Sequence, residues 1–162
     1  MPASPRAGRL WLGLLIGLMI ALRPALAEMP AEEAWKALPG YAYGQDMAPL
    51  LTIDREVIQA MASAQSRSAC AARLASLLEA AETMPAARQY VCLKLRQVGT
   101  PAQVPLLARL VANAELSDSA RQALETIPGE ESAAALRTAL GTLQGTPLVG
   151  VINSLGARRD EQ

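Results

Sequence analysis

The chain of 162 residues contains no histidine. Without it the commonest general base near neutral pH is missing, along with the usual catalytic triads and most catalytic zinc sites, so no enzymatic activity is expected. Aromatic residues make up only 3%, β-branched residues are few, and the Ala- and Leu-rich remainder favours helix throughout. Basic residues stand singly from Lys36 to Arg137, unlike the clustered cations with which nucleic-acid binders neutralise phosphates. Neither a Gly-x-Gly-x-x-Gly nor a Gly-Lys-Ser sequence occurs, so no phosphate loop is expected. No cofactor or metal is implied.

The first twenty-seven residues read as an export signal. Arg6 and Arg9 form a positive leader, Leu10 to Leu22 is an uncharged apolar run of 13 residues, and Ala25-Leu26-Ala27 is a small-x-small cleavage site. A membrane-spanning helix needs about 20 apolar residues, and Arg23 ends this run short of that; no stable membrane anchor is expected. The mature chain is expected to start at Glu28 in the periplasm or outside the cell. Removal of Arg6, Arg9 and Arg23 leaves 12 basic against 15 acidic residues.

Three stretches of the remaining chain end alike. Leu95-Arg96-Gln97-Val98-Gly99, Leu124-Glu125-Thr126-Ile127-Pro128-Gly129 and Ile152-Asn153-Ser154-Leu155-Gly156 place glycines 30 and 27 residues apart. Ala87-Arg88-Gln89 recurs as Ala120-Arg121-Gln122, 33 residues later. Such a period marks stacked helix pairs. Seven helices are predicted. Ile53–Gln65 puts Val57, Ile58 and Met61 on one face, and Ser68–Ala81 does the same with Ala72, Leu74, Leu77 and Leu78. Ala86–Val98 buries Tyr90, Val91, Leu93 or Leu95, and Val98, and Gly99 closes it as a left-handed cap. Thr100, Pro101 and Gln103 form the cap, first position and capping box of a fourth helix, which faces the core with Val104, Leu107, Leu110 and Val111. Ser117 caps a fifth, Glu130–Leu143 turns Ala133, Leu136 and Leu140 inward, and Leu148–Leu155 is the last.

Ala87-Arg88, Leu95, Val98-Gly99-Thr100, Val104-Pro105-Leu106-Leu107 and Leu110-Val111 together resemble a short HEAT repeat of the phycobilisome-lyase HEAT-like kind. A weaker copy runs from Ala120 to Leu140, with Ala134-Ala135 in place of Val-Pro, and a third keeps only its first helix. The lead Trp35-Lys36-Ala37-Leu38, Tyr41-x-Tyr43-Gly44-Gln45-Asp46 and Leu51-x-Ile53-Asp54-Arg55-Glu56, with the tail Val149 to Gly156, is similar to HEAT-repeat modules in secreted proteins of bacteria such as planctomycetes and verrucomicrobia. The resemblance implies an α-α superhelix: a lead over residues 28–52, repeats over 53–82 (degenerate), 86–113, 117–143 and 147–156 (incomplete), and a polar tail over 157–162. It also implies a scaffold role through contact with another protein, as yet unknown. Such modules accompany secreted catalytic domains, including ones like 3-keto-disaccharide hydrolases, so an accessory module of a secreted, carbohydrate-active enzyme system is the alternative.

Helix pairs of a stack are stabilised by their neighbours. Leu148–Leu155 has no second helix after it, which leaves an apolar face for self-association or marks a shortened array; the second is expected. Second helices of such pairs usually line the concave side, which nominates Gln103, Arg109 and Arg137 as contact residues. Trp35, Tyr41 and Tyr43 are expected to fold back as a cap with their polar tips in water. Asp46, Asp54 and Glu56 could be read as paired carboxylates or a cation site, but Asp54 and Glu56 fit better in a helix's first turn. Cys92, between Val91 and Leu93, fits a core thiol. A Cys70–Cys92 disulfide is opposed by register, because the two are offset by about 9 Å along an antiparallel hairpin and a bridge tolerates about 7 Å between Cα atoms.

Overall fold

Proline, glycine and hydroxyl residues set the helix boundaries. A computed structural model describes residues 29–160, and it contains α1 (Ala31–Ala37), α2 (Ala48–Ala60), α3 (Ala64–Glu79), α4 (Pro85–Val98), α5 (Val104–Leu110), α6 (Ser117–Thr126), α7 (Glu130–Leu140) and α8 (Gly145–Arg158). Short 3-10 turns occupy Leu38–Gly40 and Pro101–Gln103. No strand occurs among the described residues, so the fold is all-α as expected. The proposed export signal, its cleavage after Ala27 and the last two residues of the tail lie outside the described residues.

Ser63 starts α3 by accepting the Ser66 N–H at 3.1 Å, and Pro85 starts α4 where a missing N–H costs nothing. Thr100 and Gln103 form the capping box, with Gln103 Oε1 accepting from Thr100 N at 3.0 Å. Ser117 does not cap α6: it is the first helical residue and is buried. Asn113 instead holds the turn before the helix, its Oδ1 accepting from Glu115 N at 2.9 Å and Leu116 N at 3.1 Å.

The repeated glycines act differently from one another. Gly99 follows α4 with φ −55° and ψ 146°, which is not left-handed. A Cβ there would stand 2.4 Å from the Leu95 carbonyl oxygen and 2.7 Å from Ile127 Cδ1, so close packing, not φ, selects glycine. Gly129 does need its freedom, at φ 110° ahead of α7. Gly156 ends nothing: α8 runs through it to Arg158, and Arg159 at φ 54° closes the helix.

Helix α2 starts five residues earlier than expected, which adds Leu50 to an apolar stripe different from the predicted one. Leu50, Ile53, Val57 and Ala60 face the core, whereas Ile58 and Met61 are 65% and 57% exposed. Elsewhere the predicted core holds: Leu74, Leu78, Val91, Leu95, Val98, Val104, Leu107 and Leu136 are buried. Leu93, Leu140 and Ala72 point outward instead. Fully burying each such large side chain contributes about 1.5–3 kcal/mol.

Packing sorts the helices into two rows. In one, α2 packs on α4, α4 on α6 and α6 on α8; in the other, α5 packs on α7 and α3 touches the turn that leads into α5. Contacts of α2 with α3, α3 with α4, α6 with α7 and α7 with α8 tie the rows together, and α1 lies against α2. Carbonyls orphaned at the helix ends are taken by arginines from other elements. Arg67 donates to the carbonyls of Val98 (3.1 Å) and Gly99 (2.9 Å) at the end of α4. Arg158 donates to Leu124, Glu125, Ile127 and Gly129 at the end of α6.

Candidate interaction surface

Of the three residues nominated on the second row, one is unavailable. Gln103 is 6% exposed and spends its side-chain oxygen on Thr100, because the capping box that starts the turn also buries it. Arg109 stays on the surface, 3.5 Å from Glu79 of α3. Arg137 lies between Glu130 and Asp160, 2.5 Å from the latter, and these two acids, Asp160 first, hold its proton more firmly than usual. Between α5 and α7 lies a narrow groove of about 210 Å³ lined by small residues including Ala108, Ala112, Ala135 and Thr138.

The large exposed apolar side chains gather on the first row. Met47, Leu51, Ile58 and Met61 follow one side of α2 at 56%, 53%, 65% and 57% exposure. On α8, Val149 and Ile152 are 56% and 53% exposed, which matches the bare face expected there. Between them, α4 exposes Leu93 at 40%, and a polar link runs from α4 to α6, with Arg96 Nη1 donating to Gln122 Oε1 at 2.9 Å. Helical spacing did place Ile58 and Met61 together, but the stripe of Leu50, Ile53, Val57 and Ala60 takes the core instead.

The aromatic lead divides. Trp35 and Tyr41 are buried at 5% and 9% exposure, and the Arg73 guanidinium sits 4.3 Å from the Trp35 ring centroid. Arg73 also pairs with Glu32 at 2.8 Å, and that hydrogen bond lowers the Glu32 carboxyl pKa. Contrary to expectation, the Trp35 Nε1 is buried and has no hydrogen-bond partner among the described residues. Tyr43 is 73% exposed and its hydroxyl donates to Gln89 Oε1. Trp35 forms one wall of a groove of about 360 Å³ with Glu56, Gln59 and Cys70.

The three carboxylates considered for chemistry do not converge. Asp46 accepts from Ala48 N at 2.9 Å at the start of α2, and Glu56 lines the Trp35 groove. Asp54 lies in mid-helix, not in a first turn, and accepts the Tyr90 hydroxyl at 2.7 Å while pairing with Lys94 at 2.6 Å. Burial and then Asp54 push the Tyr90 phenol well above its ordinary pKa, so it holds its proton rather than acting as a base. Among the described residues no three His, Cys, Asp or Glu side chains group as a metal site, and no helix is long and apolar enough to cross a membrane.

Both cysteines are free thiols. Cys92 is fully buried in α4; burial pushes its thiol up to about 11, opposed by a hydrogen bond with Ser119 of α6. Cys70 is half-buried in the Trp35 groove and is raised by burial and by Glu56. The two thus serve different neighbours. Neither a family model, nor a curated protein, nor a solved structure matches the chain.

Proposed function

We propose that this chain is an exported, HEAT-like α-α superhelix that acts as a scaffold by binding another protein, without catalysis. The observation that carries this reading is the two-row packing, in which α2, α4, α6 and α8 follow one another on one side and α5 and α7 on the other, in step with the glycine period of the sequence. A binding role is supported by the side of α2, where four large apolar residues are each more than half exposed, since clustered exposed apolar residues mark interaction surfaces. Export rests on the sequence of residues 1–27.

The test compares the rows. Affinity capture from the exported fraction of the source cells is run with the unaltered protein, with a Leu51→Glu/Ile58→Glu variant and with Arg109→Glu, after circular dichroism has shown each to be folded. Loss of a retained protein in the first variant alone assigns the contact to the first row, and loss in the second alone assigns it to the second row. A retained set that neither variant changes, or none at all, overturns the scaffold reading.

A further inference from the structure

Helix α6 packs on both α4 and α8, yet the two are attached to it differently. Six residues of α4 are buried, Ala86, Ala87, Val91, Cys92, Leu95 and Val98, and α6 buries Ala120, Ala123 and Leu124 besides Ser117. Of the 14 residues of α8, only Val151 and Ser154 are buried. Leu155 is partly buried against the core, while Val149 and Ile152 face solvent.

Polar groups do the rest of the fastening. Ser154 Oγ donates to Glu125 Oε2 at 2.6 Å and accepts from Arg121, which itself reaches Glu125 at 3.2 Å. Arg158 spans the end of α6, with its shortest bonds at 2.7 Å to the carbonyls of Ile127 and Gly129. Asp160 holds Arg137 of α7 at 2.5 Å. Gly150 leaves room for the Arg121 stem, since a Cβ there would stand 2.9 Å from Arg121 Nε.

Such links trade readily for water when a helix lifts, because each hydrogen bond to protein is replaced by one to solvent, whereas a buried leucine gains nothing from exposure. A segment with few buried apolar contacts is the one that opens below the global unfolding limit. The connection also permits it. Residues 141–144 fold back on the end of α7, through bonds such as Leu143 N to Ala139 O at 3.0 Å, with Leu143 partly buried against the core, and Gly145 enters α8 at φ 61° with nothing within 4 Å of where its Cβ would be.

We propose that α8 is a detachable strap, which opens as a unit about the 141–145 turn while the other helices stay folded and so bares the side of α6 and α7 that it covers. This does not depend on the scaffold reading. The experiment is amide hydrogen exchange of the purified protein at neutral pH, followed by mass spectrometry of peptides. Amides of 145–158 are expected to exchange at least about tenfold faster than those of 85–98 and 117–126. Arg158→Met, which keeps the stem and removes the donors, is expected to raise the α8 rate about tenfold more and to leave α4 unchanged. Equal protection of α8 and α4 in the unaltered protein overturns the proposal, as does an Arg158→Met variant that speeds all helices alike. If that variant does not fold, the unaltered protein decides the matter alone.

Discussion

Helix α6 packs on α4 and on α8, and the two contacts are made of different materials. The first is apolar: Val91, Leu95, Ala120 and Leu124 are all fully buried, and Gly99 lets Ile127 close over the end of α4. The second relies on hydrogen bonds, of Ser154 with Glu125 and Arg121 and of Arg158 with the carbonyls at the end of α6, and α8 adds only Val151 as a fully buried large aliphatic side chain. Each contact nonetheless has its glycine, one admitting an isoleucine and the other an arginine. Stability is therefore expected to decline from α4 toward α8.

Deleting the aliphatic material gives the largest effect. Leu95→Ala removes a side chain at 0% exposure, and its loss from so closed a site is expected to cost about 3 kcal/mol of global stability, within the usual range for such truncations. Val151→Ala removes less volume from a seam with little else apolar, and is expected to cost about 1 kcal/mol, mostly by freeing α8. Chemical denaturation with exchange-resolved detection separates the two. Equal costs would mean that the two contacts are equally strong despite their composition.

The glycines sharpen the same comparison at smaller scale. A methyl at Gly99 meets backbone at 2.4 Å and a side chain fixed in the core at 2.7 Å, so Gly99→Ala is expected to lose about 2 kcal/mol by overpacking. A methyl at Gly150 meets the stem of Arg121, which can shift at the edge of the molecule, and a helical Ala regains some propensity. Gly150→Ala is expected to change stability by less than about 1 kcal/mol, with the melting curve as the readout.

Much of this contrast could be read from the chain. The capping box and the buried Val91, Leu95, Val104, Leu107 and Leu136 were legible because they are local patterns; the glycine period was visible, but not that Gly156 lies inside α8. The start of α2 was not legible, because Pro49 at its first turn sits in a segment that otherwise reads as irregular, and without Leu50 the stripe through Ile53 and Val57 was too short to compete with the one through Ile58 and Met61. Gln103 was visible as a capping residue and was also nominated for the surface; one side chain cannot do both. The polar fastening of α8 was hidden for another reason. Ser154, Arg158 and Glu125 meet across 29 to 33 residues of sequence, and no local pattern encodes which arginine finds which carbonyl.

Alkaline pH probes the packing of α4 against α2. Tyr90 donates to the Leu50 carbonyl at 2.9 Å and to Asp54, and its pKa is raised in the folded protein. An acid whose folded pKa is raised contributes stability that is fully present below the unfolded value, near 10 for tyrosine, and that is lost as pH rises toward the folded value. Stability is therefore expected to fall above about pH 10. The buried Cys92 thiol, pushed up to about 11, adds a decline of the same sign beginning nearer pH 9. Tyr90→Phe should flatten the part above about pH 10 in urea midpoints measured along a pH series; an unchanged slope would show that the phenol is not coupled to folding.

The smallest perturbation leaves stability untouched and reads the two contacts directly. Cys92 lies in α4, fully buried beside Ser119 of α6, so a thiol reagent reaches it only when that seam parts. Cys70 is half-buried in an open groove and needs no such event, although its raised pKa slows it relative to a free thiol. At neutral pH Cys70 is expected to label first, by at least about tenfold, with Cys92 following at the rate of deeper unfolding. Arg158→Met should leave the Cys92 rate where it is, because freeing α8 does not part α4 from α6. If that variant instead accelerates Cys92 labelling, the row opens as one piece and the difference between its middle and its end has no energetic meaning.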